Sequence, residues 1–121
     1  RLGLTIWSPL ESWLLTGKYR SGVPSGSRAE LEGYDWLRAR LVDTDKNERV
    51  AKLEQVANEL ACSVGQLAIA WVLKNPRVST VITGASRVEQ ITENMQATDV
   101  AARITPEILS KIEEIVAGVE P

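Results

Sequence analysis

The sequence has 121 residues, 44% hydrophobic and 25% charged, with a net charge of −2. That is one domain's length, enough to bury roughly two-thirds of the unfolded surface. Interleaved acids and bases give no electrostatic footprint for nucleic acid. No apolar run approaches the roughly 18 residues of a membrane span, and the start RLGLTIWSPL lacks a signal peptide's apolar core. The chain contains no histidine and a single cysteine, Cys62. The commonest general base and the usual zinc ligand sets are therefore missing, and the lone thiol fits a reducing, cytoplasmic setting.

In chain order, the first predicted element is a strand over 2–7, ended by Ser8-Pro9. A short helix is expected within 11–19. A loop follows over 21–33, in a region holding four of the eight glycines, with one or two helical turns within 31–41. Residues 46–61 place Val50, Leu53, Val56, Ala57 and Leu60 on one face, an amphipathic helix. Ser63-Val64-Gly65-Gln66 has capping-box spacing and introduces a helix to about Lys74, with Leu67, Ala68, Trp71 and Val72 inward. The run Val78–Thr83, β-branched except at Ser79, reads as a parallel strand buried on both faces. Ser86-Arg87-Val88-Glu89 predicts a second capping box and a helix to about Ala97. Thr105-Pro106-Glu107 opens the last helix, burying Ile108, Ile112, Ile115 and Val116.

Two parallel strands separated by helices are too few for a sheet of their own. The expectation is an α/β chain that forms the C-terminal part of a larger barrel and contains its last strand–helix unit.

Ligands of α/β sheets gather at the C-terminal ends of strands. Here those ends are Trp7-Ser8-Pro9-Leu10 and Thr83-Gly84-Ala85-Ser86. The second combines small residues with a helix N-terminus that favours an anion. Arg87 opposes the helix dipole there, which an anionic ligand explains and simple solvation explains equally. Lys18 and Arg28 bracket the glycine-rich loop, as phosphate ligands or as ordinary surface charge. Gln90, Glu93 and Asn94 form a polar stripe, either a wet surface or donors and acceptors for a purine edge. Trp71 reads as core and Cys62 as packing. Tyr19 and Tyr34 lack a local lysine or histidine partner and are unpersuasive acids.

WSPL (7–10), LLTGKY (14–19), SGVPSGSR (21–28), QLAIAWVLKNPRVSTVITGAS (66–86) and EQITEN (89–94) together resemble the C-terminal portion of an aldo-keto reductase. The resemblance is to the branch containing voltage-gated potassium channel β-subunits and their bacterial relatives, and it covers nearly the whole chain. It implies the last two strands, with their helices, of an (α/β)8 TIM barrel that binds NADP(H) and reduces aldehydes or ketones. It implies that Trp7, Ser8, Pro9 and Leu10 line the nicotinamide and pyrophosphate side, with a weaker place for Ser12. Lys18 and Arg28 would hold phosphates. Gly84, Ser86, Gln90, Glu93 and Asn94 would hold the adenosine end, and Arg87 the 2′-phosphate. The family's catalytic Asp, Tyr, Lys and His precede this stretch, so the segment is expected to be inactive alone. The implied partners are a small carbonyl substrate and further copies of the same protein, without membrane insertion.

Two departures stand out. Glu11-Ser12-Trp13 replaces a stretch that is smaller in relatives, and Gly26 stands where the channel subunits have tyrosine. Two other readings remain open at this point: a regulatory subunit whose bound cofactor reports redox state, and an unrelated barrel binding another phosphorylated ligand such as riboflavin phosphate.

Overall fold

A computed structural model describes residues 2–12 and 14–118. Trp13, part of the first departure, lies outside the described residues. Among the described residues the order is β1 (Leu4–Trp7), 3-10 turns at Leu14–Thr16 and Arg28–Glu30, α1 (Asp35–Leu41), α2 (Thr44–Glu59), α3 (Val64–Leu73), β2 (Val78–Ile82), α4 (Val88–Met95), α5 (Ala97–Arg103) and α6 (Pro106–Val116).

The strands pair in parallel, with Thr5 opposite Thr80, Ile6 opposite Val81 and Trp7 opposite Ile82. A register shift falls between Leu4 and Thr5. Gly3 permits this approach, because a Cβ there would stand 1.8 Å from Ser79 Oγ. The expected burial of β2 on both faces is not seen. Val78 and Val81 are half-buried, whereas Ser79, Thr80 and Ile82 are exposed. The two-stranded sheet packs against α3, and among the described residues nothing covers its other side. Parallel strands need both faces covered, and Trp7, 81% exposed, shows how far that is unmet here.

The main core lies between the helices. Val50, Leu53, Val56 and Ala57 of α2 meet Val64, Leu67 and Ala70 of α3, Val100 of α5 and Ile112 of α6. Tyr19, Leu37 and Leu41 close its other end. Ile69 turns the opposite way, to Leu10 and Ala97, with Val81 against them. Trp71 is not core: it is 40% exposed, at the edge of an apolar cavity of about 120 Å³ lined also by Leu53, Leu67 and Ile112. Trp71 lies on the same face of α3 as Val64 and Leu67, but near the end of the helix, where it forms the rim of this cavity.

Helix boundaries follow their caps. α2 starts at Thr44, ahead of the expected 46, because Asp43 accepts from Lys46 N–H at 2.9 Å. It ends in a Schellman motif. Cys62 N–H donates to Ala57 O at 3.0 Å and Ala61 N–H to Asn58 O at 3.1 Å, with Ala61 at φ +51 in the left-handed region. α3 has the full Ser63–Gln66 capping box. The expected helix to Ala97 stops at Met95, and α5 follows at once. Its buried Ala97, Val100 and Ile104 pack toward α3.

Candidate functional site

Beyond the C-terminal ends of β1 and β2 lies a cavity of about 590 Å³. Its floor is the turn after β1, Trp7 to Leu10 with Ser12. Ser8, Glu11 and Ser12 there hold φ values of +54, +49 and +55. Side chains seldom adopt that region, and strain of this kind clusters at functional sites. One wall is the loop carrying Gly26, Ser27 and Arg28, with Lys18. The other is the strand-to-helix turn Ile82 to Ser86, with Gln90 from α4.

Ten of the residues singled out from sequence thus meet at one cavity: Trp7, Ser8, Pro9, Leu10, Ser12, Lys18, Arg28, Gly84, Ser86 and Gln90. Gly84 has open space where a Cβ would point, so the turn leaves its side of the cavity clear. Arg87, Glu93 and Asn94 do not line it. Arg87 is exposed beside it, and its side chain has no hydrogen-bond or ion-pair partner among the described residues. Glu93 Oε1 instead accepts from Ser63 Oγ at 2.7 Å. Asn94 is buried, and its Nδ2 has no partner among the described residues. The expected uniform stripe is therefore split, with only Gln90 turned toward the strand ends.

The second capping box also differs from expectation. Ser86 is not the N-cap: α4 begins at Val88, after Arg87. A guanidinium has no acceptor, so only the glutamine half of such a box exists. Gln90 Oε1 gathers the Ser86 N–H at 2.8 Å, the Ser86 hydroxyl at 3.2 Å and the Arg87 N–H at 3.1 Å. One amide oxygen therefore fixes the turn that forms the cavity wall.

α4 is itself held from α3. Gln66 Nε2 donates to Glu93 O and to Gln96 Oε1, each at 3.0 Å, while its Oε1 accepts from Ser63 N–H. The α3 capping box, legible in the sequence, thus also positions the helix that bears Gln90.

The described residues lining the cavity include two cations, Lys18 and Arg28, and no carboxylate. The nearest acid in that loop, Glu30, is engaged by the Gly26 N–H at 2.6 Å. In a partly enclosed site such an excess of positive charge selects an anion. Gly26, at φ +73 with open space around it, adopts a conformation that a tyrosine would seldom take. The other departure, Glu11, forms an ion pair with Arg40 of α1 and so fastens the floor turn to the helix behind the loop. Sequence reasoning placed Thr83 and Ala85 at the strand end without giving them a role, and it did not single out Ser27, the neighbour of Arg28.

Among the described residues no group of His, Cys, Asp or Glu is arranged to hold a metal. No single described helix is long and apolar enough to cross a membrane.

The family model "Aldo/keto reductase family" matches residues 2–117. The chain is 51% identical over 116 residues to a probable voltage-gated potassium channel subunit beta of Arabidopsis thaliana, covering 95% of this chain and 35% of that protein. It is 52% identical, with the same coverage, to a protein of the same description in Oryza sativa subsp. japonica. A putative voltage-gated potassium channel subunit beta of Schizosaccharomyces pombe is 45% identical, over 93% of this chain and 33% of that protein. The chain spans about a third of the length of these relatives. It belongs to the aldo/keto reductase family.

Proposed function

We propose that this chain forms the last two strands and accompanying helices of an (α/β)8 barrel, and that it supplies the NADP(H)-binding part of a carbonyl reductase. The observation that carries the reading is the 590 Å³ cavity at the ends of two parallel strands, walled by Lys18 and Arg28 without a carboxylate. The residues fit a dinucleotide phosphate: two cations for phosphates, and a Gly84 turn that leaves its side of the cavity open.

In this reading Lys18 and Arg28 hold the phosphates, and Trp7 to Leu10 form a floor on the nicotinamide and pyrophosphate side. Ser12 sits at the rim. Gly84, Ser86 and Gln90, backed by Glu93 and Asn94, hold the adenosine end. Arg87, exposed next to Ser86, meets the 2′-phosphate and favours NADP over NAD. Bound cofactor supplies hydride to the carbonyl carbon of an aldehyde or ketone. In this reading the balancing proton comes from residues outside this chain, which binds and orients the cofactor but does not turn over substrate by itself. We place the protein in the cytoplasm, as a homo-oligomer acting on a small carbonyl compound.

A second reading is favoured by the relatives' descriptions as potassium channel β-subunits. There the same cavity binds the same cofactor, and its redox state acts on a partner rather than on a metabolite.

Calorimetric titration with NADPH, NADH and riboflavin phosphate tests the shared core of both readings. NADPH binding that weakens about tenfold or more in Arg28→Ala is expected, since hydrogen bonds to charged groups contribute ~1.5–3 kcal/mol. Preference for riboflavin phosphate, or no NADPH binding, overturns it. Assay of the natural polypeptide carrying these residues, with NADPH and an aldehyde panel, then separates reductase from regulator.

A further inference from the structure

Ser27 stands out because its buried hydroxyl has no hydrogen-bond partner among the described residues. It occupies the N-cap position of the 3-10 turn Arg28–Glu30, where a serine oxygen normally accepts from a backbone N–H. Here it makes no such bond; the Glu30 N–H goes to the Ser27 carbonyl at 3.0 Å. The residue is 7% exposed, and its Oγ is buried without a partner among the described residues. Buried hydroxyls are almost always bonded, and an orphan is costly. Three other buried polar atoms share this condition, on Tyr19, Asn47 and Asn94. Of the four residues, only Ser27 lines the cavity between the β1 and β2 strand ends, in the wall that also carries Lys18 and Arg28.

We infer that Ser27 is a ligand-holding residue whose hydroxyl donates a hydrogen bond to a phosphate oxygen of the bound dinucleotide. The assignment rests on the cofactor reading above. The adjacent cations make a phosphate the acceptor, and the hydroxyl adds a short neutral donor that two long cationic side chains do not provide. Oγ lies just behind the cavity surface, and it meets the ligand when the Gly26–Arg28 segment seats.

The test compares wild type with Ser27→Ala in the natural polypeptide, reading NADPH affinity by calorimetry and ligand-free melting by scanning calorimetry. NADPH affinity is expected to fall about tenfold, while the ligand-free melting temperature stays level or rises because an orphaned polar group has been removed. The salt dependence of binding stays as in wild type, because no charge is lost, whereas Arg28→Ala flattens it. A lowered ligand-free melting temperature with unchanged NADPH affinity would mark Ser27 as purely structural and overturn the assignment. Unchanged affinity and unchanged melting overturn it as well. A wild-type protein that does not bind NADPH removes the dinucleotide reading and this assignment with it.

Discussion

Replacing Gln66 by alanine removes one side chain that joins two helices. Gln66 is 8% exposed and makes three side-chain hydrogen bonds, to the Ser63 N–H, the Glu93 carbonyl and the Gln96 amide oxygen, each at 3.0 Å. At ~0.5–1.5 kcal/mol net per bond the loss is about 3 kcal/mol, and the partners left in a half-buried site keep it from the low end. Ser63→Ala is the comparison: it removes the cap to Gln66 N–H and the bond to Glu93, and is expected to cost ~1–2 kcal/mol. Urea unfolding reads both. With a slope of ~2 kcal/mol/M, Gln66→Ala lowers the midpoint by about 1.5 M without changing the slope. Native-state hydrogen exchange should also quicken in α4 ahead of α2, because the lost bonds run to α4. A destabilisation below about 0.5 kcal/mol, or uniform loss of protection in both helices, would refute the claim that the α3 cap positions α4.

Ala61→Gly should raise stability by about 1 kcal/mol in the same urea assay, since a left-handed residue at φ +51 strains any side chain. Arg49→Ala should cost about 1–2 kcal/mol, because its Nη1 donates to the Ile115 carbonyl in the last turn of α6 and to that of its C-cap Ala117, at 2.7 and 2.8 Å. The Glu107 carboxyl is held below its usual range by its own backbone N–H and by the Thr105 hydroxyl. Its contribution is therefore present above the ordinary carboxylate pKa and lost as pH falls through the lowered one. Glu107→Gln should flatten the acid limb of stability against pH. Burial pushes the Cys62 thiol up, against a smaller opposing pull from Arg103. Iodoacetamide should thus label it more slowly at pH 8 than a free thiol, and stability should decline as pH rises above the ordinary thiol range.

What was legible in the sequence was mostly local. The Ser63–Gln66 and Thr105–Pro106 signals marked α3 and α6 because side-chain capping is written within four residues. The α2 face was readable from its 3.6-residue spacing. α2 ended earlier than expected because its stop is an alanine at positive φ, with no glycine to announce it. α5 was missed because the polar Thr98 and Asp99 hide the Ala97–Val100–Ile104 spacing. Trp71 was misplaced because it shares the inward face of α3 but stands near the helix end, where only tertiary packing decides how deeply a side chain is covered. At the site, the residues at the two strand ends line one cavity, since the C-terminal ends of neighbouring parallel strands lie side by side. Glu93 does not line it, because its partner Ser63 lies on another helix, and Ser27 looked like one more loop serine. Its lack of a partner exists only in three dimensions.

Determining the structure of the natural polypeptide with NADPH bound tests the central claim most directly. The account predicts cofactor phosphates within hydrogen-bond distance of Lys18 and Arg28, in the cavity between the Trp7–Leu10 turn and the Gly84–Ser86 turn, with Arg87 at the 2′-phosphate. Cofactor bound away from that cavity, or lodged there with its phosphates remote from both cations, would contradict it.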